Sequence, residues 1–149
     1  MLQRQHPRGN RIRIVRNAAH SGVGSSRNHI LDEARGRYLY FMDSDDTIEP
    51  DTIQLLVSTM EQHRVSVVYA SYEIIDKVKF TPTQTYRKDR LLVEHADDLA
   101  EYAFHYNSVF QIMVCNSLID IDFLRRSGLR FIDTSYWEDM AFTTELVTR

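Results

Sequence analysis

The chain has 149 residues, 43% of them hydrophobic and 26% charged, with a formal net charge of −3, the make-up of an ordinary soluble globular chain. Three prolines and five glycines are too few for collagen-like or low-complexity sequence, and the apolar content is too high for disorder. A single domain is expected at this length. The one cysteine, Cys115, has no internal partner for a disulfide, which points to a reducing compartment, the cytoplasm first. No apolar run approaches the roughly 20 residues of a membrane helix, and Met1 to His6 lack the apolar core of a signal peptide. Charge is uneven. Residues 1 to 40 hold eight Arg against Asp32 and Glu33, while the remainder holds ten basic and nineteen acidic residues. A basic front half suits an anionic partner such as phosphate or a lipid surface, and equally suits solvated helix faces.

In chain order, Arg11-Ile12-Arg13-Ile14-Val15-Arg16 alternates charged and apolar residues, which predicts a strand with one buried face. The turn Ser21-Gly22-Val23-Gly24-Ser25-Ser26 leads into a helix with Ile30, Leu31 and Ala34 at helical spacing, stopped by Gly36. Tyr38 to Met42 is almost wholly apolar and suits a central strand covered on both faces. Ile53, Leu56, Val57 and Met60 fall at i, i+3, i+4 and i+7, so residues 50 to 61 form an amphipathic helix with Pro50 near its start. Val65 to Ala70 is a further strand. This alternation over residues 11 to 72 predicts an α/β domain with a parallel sheet. Residues 74 to 90 are weakly patterned, an excursion of strands or loop. Helices are then expected over 97–106, over 122–128 with a stop at Gly128, and over 138–147.

Three clusters could carry chemistry. Asp43-Ser44-Asp45-Asp46 places three carboxylates just after a buried strand, at the end of an α/β strand where ligands bind. Such a cluster repels itself unless a cation is present, and its oxygens suit Mg²⁺ or Mn²⁺ shared with a substrate phosphate. The plainer reading is an acidic turn that caps the next helix through Thr47 and Asp51. Gly22 to Arg27 exposes backbone N–H groups and an Arg at a helix start, suited to a phosphate or simply a strand-to-helix turn. Trp137-Glu138-Asp139 offers a general base beside an apolar wall, or acids that complement a helix dipole. The six His show no zinc spacing.

Taken in order, these pieces resemble the family 2 glycosyltransferases, enzymes of the GT-A fold that use nucleotide-sugar donors. The resemblance rests on Gly22-Val23, Ser26-Arg27-Asn28, Gly36, Tyr38 to Met42, Asp43-Ser44-Asp45-Asp46 and Pro50-Asp51. Cys115-Asn116-Ser117-Leu118-Ile119, Gly128-Leu129-Arg130-Phe131 and Glu138-Asp139-Met140-Ala141-Phe142 look like the family's acceptor-side segment and its Glu-Asp motif. Members open with two nucleoside-binding strands that have no counterpart here, so the resemblance implies a partial domain.

That partial GT-A, Rossmann-like domain would hold a mostly parallel sheet with helices on both faces. Residues 11–72 would form the donor and metal half, and residues 107–149 the acceptor-side segment. The resemblance implies a metal site for Mn²⁺ or Mg²⁺ made by Asp43, Asp45 and Asp46, with Arg27, Asn28, Asp43 and Asp45 near the nucleotide. Asp139, supported by Glu138, would be the base. The implied reaction is inverting transfer of a sugar from a nucleoside-diphosphate donor, such as a UDP-sugar, to a hydroxyl of a glycan or lipid-linked glycan. The implied setting is the cytoplasm or the inner face of a membrane, with peripheral membrane contact and self-association as further expectations and no role for nucleic acid. Two alternatives stand beside it. Asp43-Ser44-Asp45-Asp46-Thr47 also fits the DxDxT loop of haloacid-dehalogenase-like phosphatases, with Asp43 as nucleophile. A non-catalytic partial domain would instead serve binding or assembly, its open sheet edge inviting a partner strand.

Overall fold

The structure, a computed structural model, describes residues 11–76, 78–79, 81–86, 92–93, 98, 101, 113–134 and 136–149. Helix α1 spans Gly22–Glu33, strand β1 Tyr38–Tyr40, helix α2 Thr52–His63 and strand β2 Val67–Tyr69. Strands β3 (Tyr72–Ile75) and β4 (Pro82–Tyr86) form a hairpin, and strand β5 (Ser117–Asp120) precedes helices α3 (Ile121–Ser127) and α4 (Glu138–Leu146). The helix expected over 97–106 lies outside the described residues apart from Asp98 and Glu101. Among the described residues no helix is long and apolar enough to cross a membrane.

The expectation of a mostly parallel sheet is overturned. The main sheet has three short strands in the order β1-β5-β2, and β3 and β4 form a separate two-stranded sheet. Every pairing is antiparallel, with Leu39 opposite Ile119 and Val68 opposite Leu118. The physical reason is insertion. Both β1 and β2 run antiparallel to β5, so they share a direction with α2 crossing between them, but the late strand β5 lies between them and takes their hydrogen bonds. The strand expected at Arg11 to Arg16 also does not form. Alternating sequence becomes a strand only beside a neighbour that supplies a ladder, and this segment instead follows α1. There the Arg13 guanidinium donates to the Glu33 carbonyl and pairs with its carboxylate, while Ile14 and Val15 stay exposed.

Period-2 alternation along the sheet sorts the core. Leu39 of β1 and Ile119 of β5 join Phe41, Val114, Leu124, Leu129, Phe131, Phe142 and Leu146 in one buried cluster. The neighbouring positions Tyr38, Tyr40 and Leu118 pack instead with Leu56 and Met60 of α2. Phe131 is the aromatic centre of the larger cluster, stacked on Phe142 at 4.1 Å and edge-on to Phe41 at 5.5 Å. Asp120 starts α3 by accepting a hydrogen bond from the Phe123 N–H at 2.8 Å, and Gly128 ends it in the left-handed conformation with φ +67. Only a residue without a Cβ adopts that conformation at little cost.

Positions 24, 27 and 28 of α1 lie on one helical face and meet the segment before α4. The Asn28 amide donates to the Phe131 carbonyl at 2.8 Å and accepts from its N–H at 2.9 Å. A Cβ on Gly24 would sit 2.7 Å from the Ile132 carbonyl oxygen, a contact with backbone that has no flexible end to move. Gly24→Ala is therefore expected to destabilise the fold by about 1–3 kcal/mol, read as a lower urea midpoint with an unchanged denaturant slope.

Candidate active site

The acidic motif sits where β1 ends. The chain turns there through a hydrogen bond from the Asp46 N–H to the Asp43 carbonyl at 3.2 Å. Asp51 occupies the N-cap position of α2 but its side chain makes no cap bond, so the acids of this loop are not engaged in capping that helix. Across from the turn is the start of β5. The Asn116 amide donates to the Ala70 carbonyl and the Asn116 carbonyl accepts from the Ala70 N–H, both at 2.9 Å. That pair ties the end of β2 to the beginning of β5 and fixes Cys115 beside the acids.

Asp43, Asp46 and Cys115 each bring one potential ligand atom within 4.8 Å of the others. The two carboxylates fit a hard divalent cation. The thiol fits it poorly: burial, then the charges of Asp46 and Asp43, push Cys115 up to about 11, so it stays protonated and is a weak ligand at neutral pH. Sequence reading grouped Asp45 with Asp43 and Asp46; the geometry groups Cys115 with them, and Asp45 stands on the turn outside that cluster. Cys115 was missed as a neighbour because 71 residues separate it from Asp43 and only the pairing of β1 with β5 joins them.

The Glu-Asp motif arrives from the opposite side. Trp137 precedes α4 with φ +66, a left-handed conformation costly for a bulky residue, and the chain then enters the helix with Glu138 and Asp139 in its first turn. Both acids meet Arg27, the one cation on the inward face of α1. Its side chain is 9% exposed and lies 3.0 Å from Glu138 Oε1 and 3.2 Å from Asp43 Oδ1, with a further bond to Asp139 Oδ1. Its guanidinium also stands 5.5 Å over the Phe131 ring. Asp139 is held above the ordinary carboxylate range, chiefly by burial and secondarily by the charges of Glu138 and Asp43, against the opposing pull of Arg27 and a hydrogen bond from the Val114 N–H.

These residues border an open cleft of about 1020 Å³ whose lining includes Ser21, Ser26, Arg27, Asp43, Asp133 and Glu138. The helix-start loop on its rim is held by Asn17, whose amide donates to Ser21 and Ser26 hydroxyls at 3.2 and 2.8 Å and whose oxygen meets His29 Nδ1 at 2.9 Å. The cleft is thus walled by hydroxyls and the inward N-terminal turn of α1 on one side and by carboxylates on the other. It has room for a ligand of nucleotide size. Of the residues expected to approach a nucleotide, Arg27 and Asp43 line this cleft, whereas the Asn28 amide is occupied by Phe131.

Comparison with known sequences follows the same arrangement. The pattern of the family described as Glycosyl transferase family 2 matches residues 1–126. The chain belongs to this family. The family assignment removes the phosphatase alternative for the Asp43 to Thr47 loop. Among its relatives is the UDP-Glc:alpha-D-GlcNAc-diphosphoundecaprenol beta-1,3-glucosyltransferase WfgD of Escherichia coli, 33% identical over 86 residues, which cover 55% of this chain and 34% of that protein. The putative teichuronic acid biosynthesis glycosyltransferase TuaG of Bacillus subtilis is 29% identical over 75 residues, 50% of this chain and 30% of the relative. The uncharacterized glycosyltransferase EpsJ of the same organism is 28% identical over 136 residues, 89% of this chain and 38% of the relative. The chain spans about a third of the length of these relatives.

The thiol's environment is directly measurable. Alkylation of Cys115 by iodoacetamide at pH 8 is expected to run about a hundredfold slower than that of an unperturbed thiol, and to climb as pH rises toward 11, because only the thiolate reacts. Asp46→Asn removes a charge that opposes ionisation and is expected to speed the reaction at fixed pH; equal rates in both proteins would contradict the contact.

Proposed function

We propose that the cleft bordered by Asp43 and Asp139 is the transfer site of a metal-dependent, inverting glycosyltransferase that moves a sugar from a nucleoside-diphosphate donor to a hydroxyl on a glycan or lipid-linked glycan. The observation that carries this reading is the meeting of two carboxylate sets, separated by 95 residues in the chain, around one buried Arg27 beside the same cleft. The printed name of the E. coli relative, which specifies a UDP-Glc donor and a diphosphoundecaprenol-linked acceptor, supports a UDP-sugar and a lipid-linked acceptor. Synthesis of a surface polysaccharide is the setting that follows, and a lipid-linked acceptor would bring the protein to a membrane surface from the cytoplasmic side.

The chemistry needs a base and a counter-charge. The acceptor oxygen bonds to the anomeric carbon as the bond from that carbon to the phosphate oxygen breaks, the acceptor's proton passes to Asp139, and the electron pair leaves with the nucleoside diphosphate. Burial favours this role for Asp139, since a carboxylate with a raised proton affinity is a stronger base at neutral pH. Glu138 beside it holds Arg27 in place. A Mn²⁺ or Mg²⁺ ion held by Asp43 and Asp46, with Asp45 on the same turn, would supply a Lewis acid for the departing diphosphate. Ser21, Ser26 and the N-terminal turn of α1 offer donors to a phosphate.

Calorimetric titration of the chain with UDP tests the donor side. Binding that requires Mn²⁺ and weakens about tenfold or more in Asp45→Asn, about 1.4 kcal/mol, is the expected outcome; UDP binding indifferent to both would remove the metal from the reading, and an absence of binding would favour a module without donor chemistry. On the acceptor side, Asp139→Asn is expected to leave UDP binding unchanged and to lower transfer from a UDP-sugar by about 10²- to 10⁴-fold. Retention of the full transfer rate would show that Asp139 is not the base.

A further inference from the structure

We propose that Arg27 is a positioning residue that fastens the acceptor-side pair Glu138 and Asp139 to the donor-side Asp43, so that the two halves of the site are held at one spacing by a single guanidinium. This rests on the reading of Asp43 as donor-side and Asp139 as the base. The geometry is specific to an arginine. One terminal nitrogen, Nη1, faces both acids of α4, with Glu138 Oε1 at 3.0 Å and Asp139 bonded beside it, while the other, Nη2, reaches Asp43 at 3.2 Å. A planar fork with donors on separate nitrogens bridges two carboxylate sets, whereas an ammonium point charge cannot face both at that span.

Three further features fix the fork. Phe131 lies under the guanidinium at 5.5 Å and is itself stacked between Phe41 and Phe142. Asn28, one residue along α1, grips the backbone of Phe131 from both sides. Gly24, one turn earlier, lets the same face of α1 close onto Ile132. The helix that carries Arg27 is therefore pinned to the segment leading into α4 before the ion pairs are counted. With the guanidinium almost wholly buried, its orientation is set by the three carboxylates and the ring. The groups facing Asp139 are Arg27 from α1, Asp43 from the end of β1, the Val114 N–H from the turn before β5, and Glu138 on its own helix. Arg27 is the one cation among them.

NMR of the whole chain without nucleotide or metal tests this independently of transfer. In the wild type the Arg27 Nη protons are expected as separate, slowly exchanging signals, and Asp139→Asn should begin to average them. The carboxyl carbon of Asp139 is expected to titrate at higher pH in Arg27→Gln than in the wild type, with Arg27→Lys lying between because it restores the charge but not the fork. Averaged Nη signals in the wild type, or one Asp139 midpoint shared by all three proteins, would overturn the proposal. If Arg27→Gln does not fold, the wild-type Nη signals and the Arg27→Lys midpoint decide it. Failure of UDP to bind while these signals hold would sink the functional reading and leave the clamp standing.

Discussion

A guanidinium with 9% of its side chain exposed must find its counter-charges inside the protein, because an unpaired buried charge costs several kcal/mol. Arg27 finds three, and none belongs to its own helix. One closes β1 and two open α4, so satisfying this single charge obliges α1, the acidic turn and the last helix to converge. The aromatic column of Phe41, Phe131 and Phe142 provides the apolar floor on which that convergence rests, and its stacked and edge-on contacts fill the space beneath the fork. Removing one partner of such a group is far more damaging than replacing the whole set by apolar residues. The retention of the charged set is thus better understood through what it holds in register than through what it adds to stability.

The uneven charge of the sequence acquires a meaning in this frame. The basic front half and acidic back half are not two separate surfaces: Arg27 is answered by Glu138 and Asp139, Arg130 by Asp32, and Arg37 by Glu61 at 2.5 Å. The last two pairs are about half exposed and contribute little individually. Arg27 differs by burial, and in being shared among acids with a proposed chemical role. At the acidic turn the same low-exposure environment works in the opposite direction on Cys115, whose thiol is pressed toward its neutral form by the carboxylates across from it. One local field thus keeps a soft ligand protonated beside hard ones, which favours oxygen coordination at that spot.

Local pattern made much of this legible. The apolar spacing of Ile53, Leu56, Val57 and Met60 located α2, displaced by two residues, because helical periodicity survives in a dozen positions. Gly128 marked the end of α3 and Glu138 the start of α4, each through a residue whose backbone or charge preference acts within one turn. What failed was non-local. β5 is four residues long, too short for any period, and its place between β1 and β2 depends on partners about 80 and 50 residues away. The same ignorance of neighbours turned Arg11 to Arg16 into an expected strand. Asp43 and Asp139 were identified as chemistry-bearing residues from their types and their motifs. That Arg27 would stand between them, and that Cys115 would lie beside Asp43, followed from burial and pairing that no window of sequence contains.

The insertion of β5 also sets a timetable. The β1-α2-β2 unit is complete at Tyr69, yet both strands take their hydrogen bonds from residues that begin at Ser117, 47 residues later. At synthesis rates of about 5–20 residues per second, that is an interval of several seconds in which two strand edges are made but have nothing to pair with. Closing so long a loop is slow relative to local helix formation, and unsatisfied edges are the part of a nascent chain most open to the wrong partner. Helix α2, which can cover one face of both strands from the outset, is the element that keeps this half-built sheet from the solvent until its middle strand is translated.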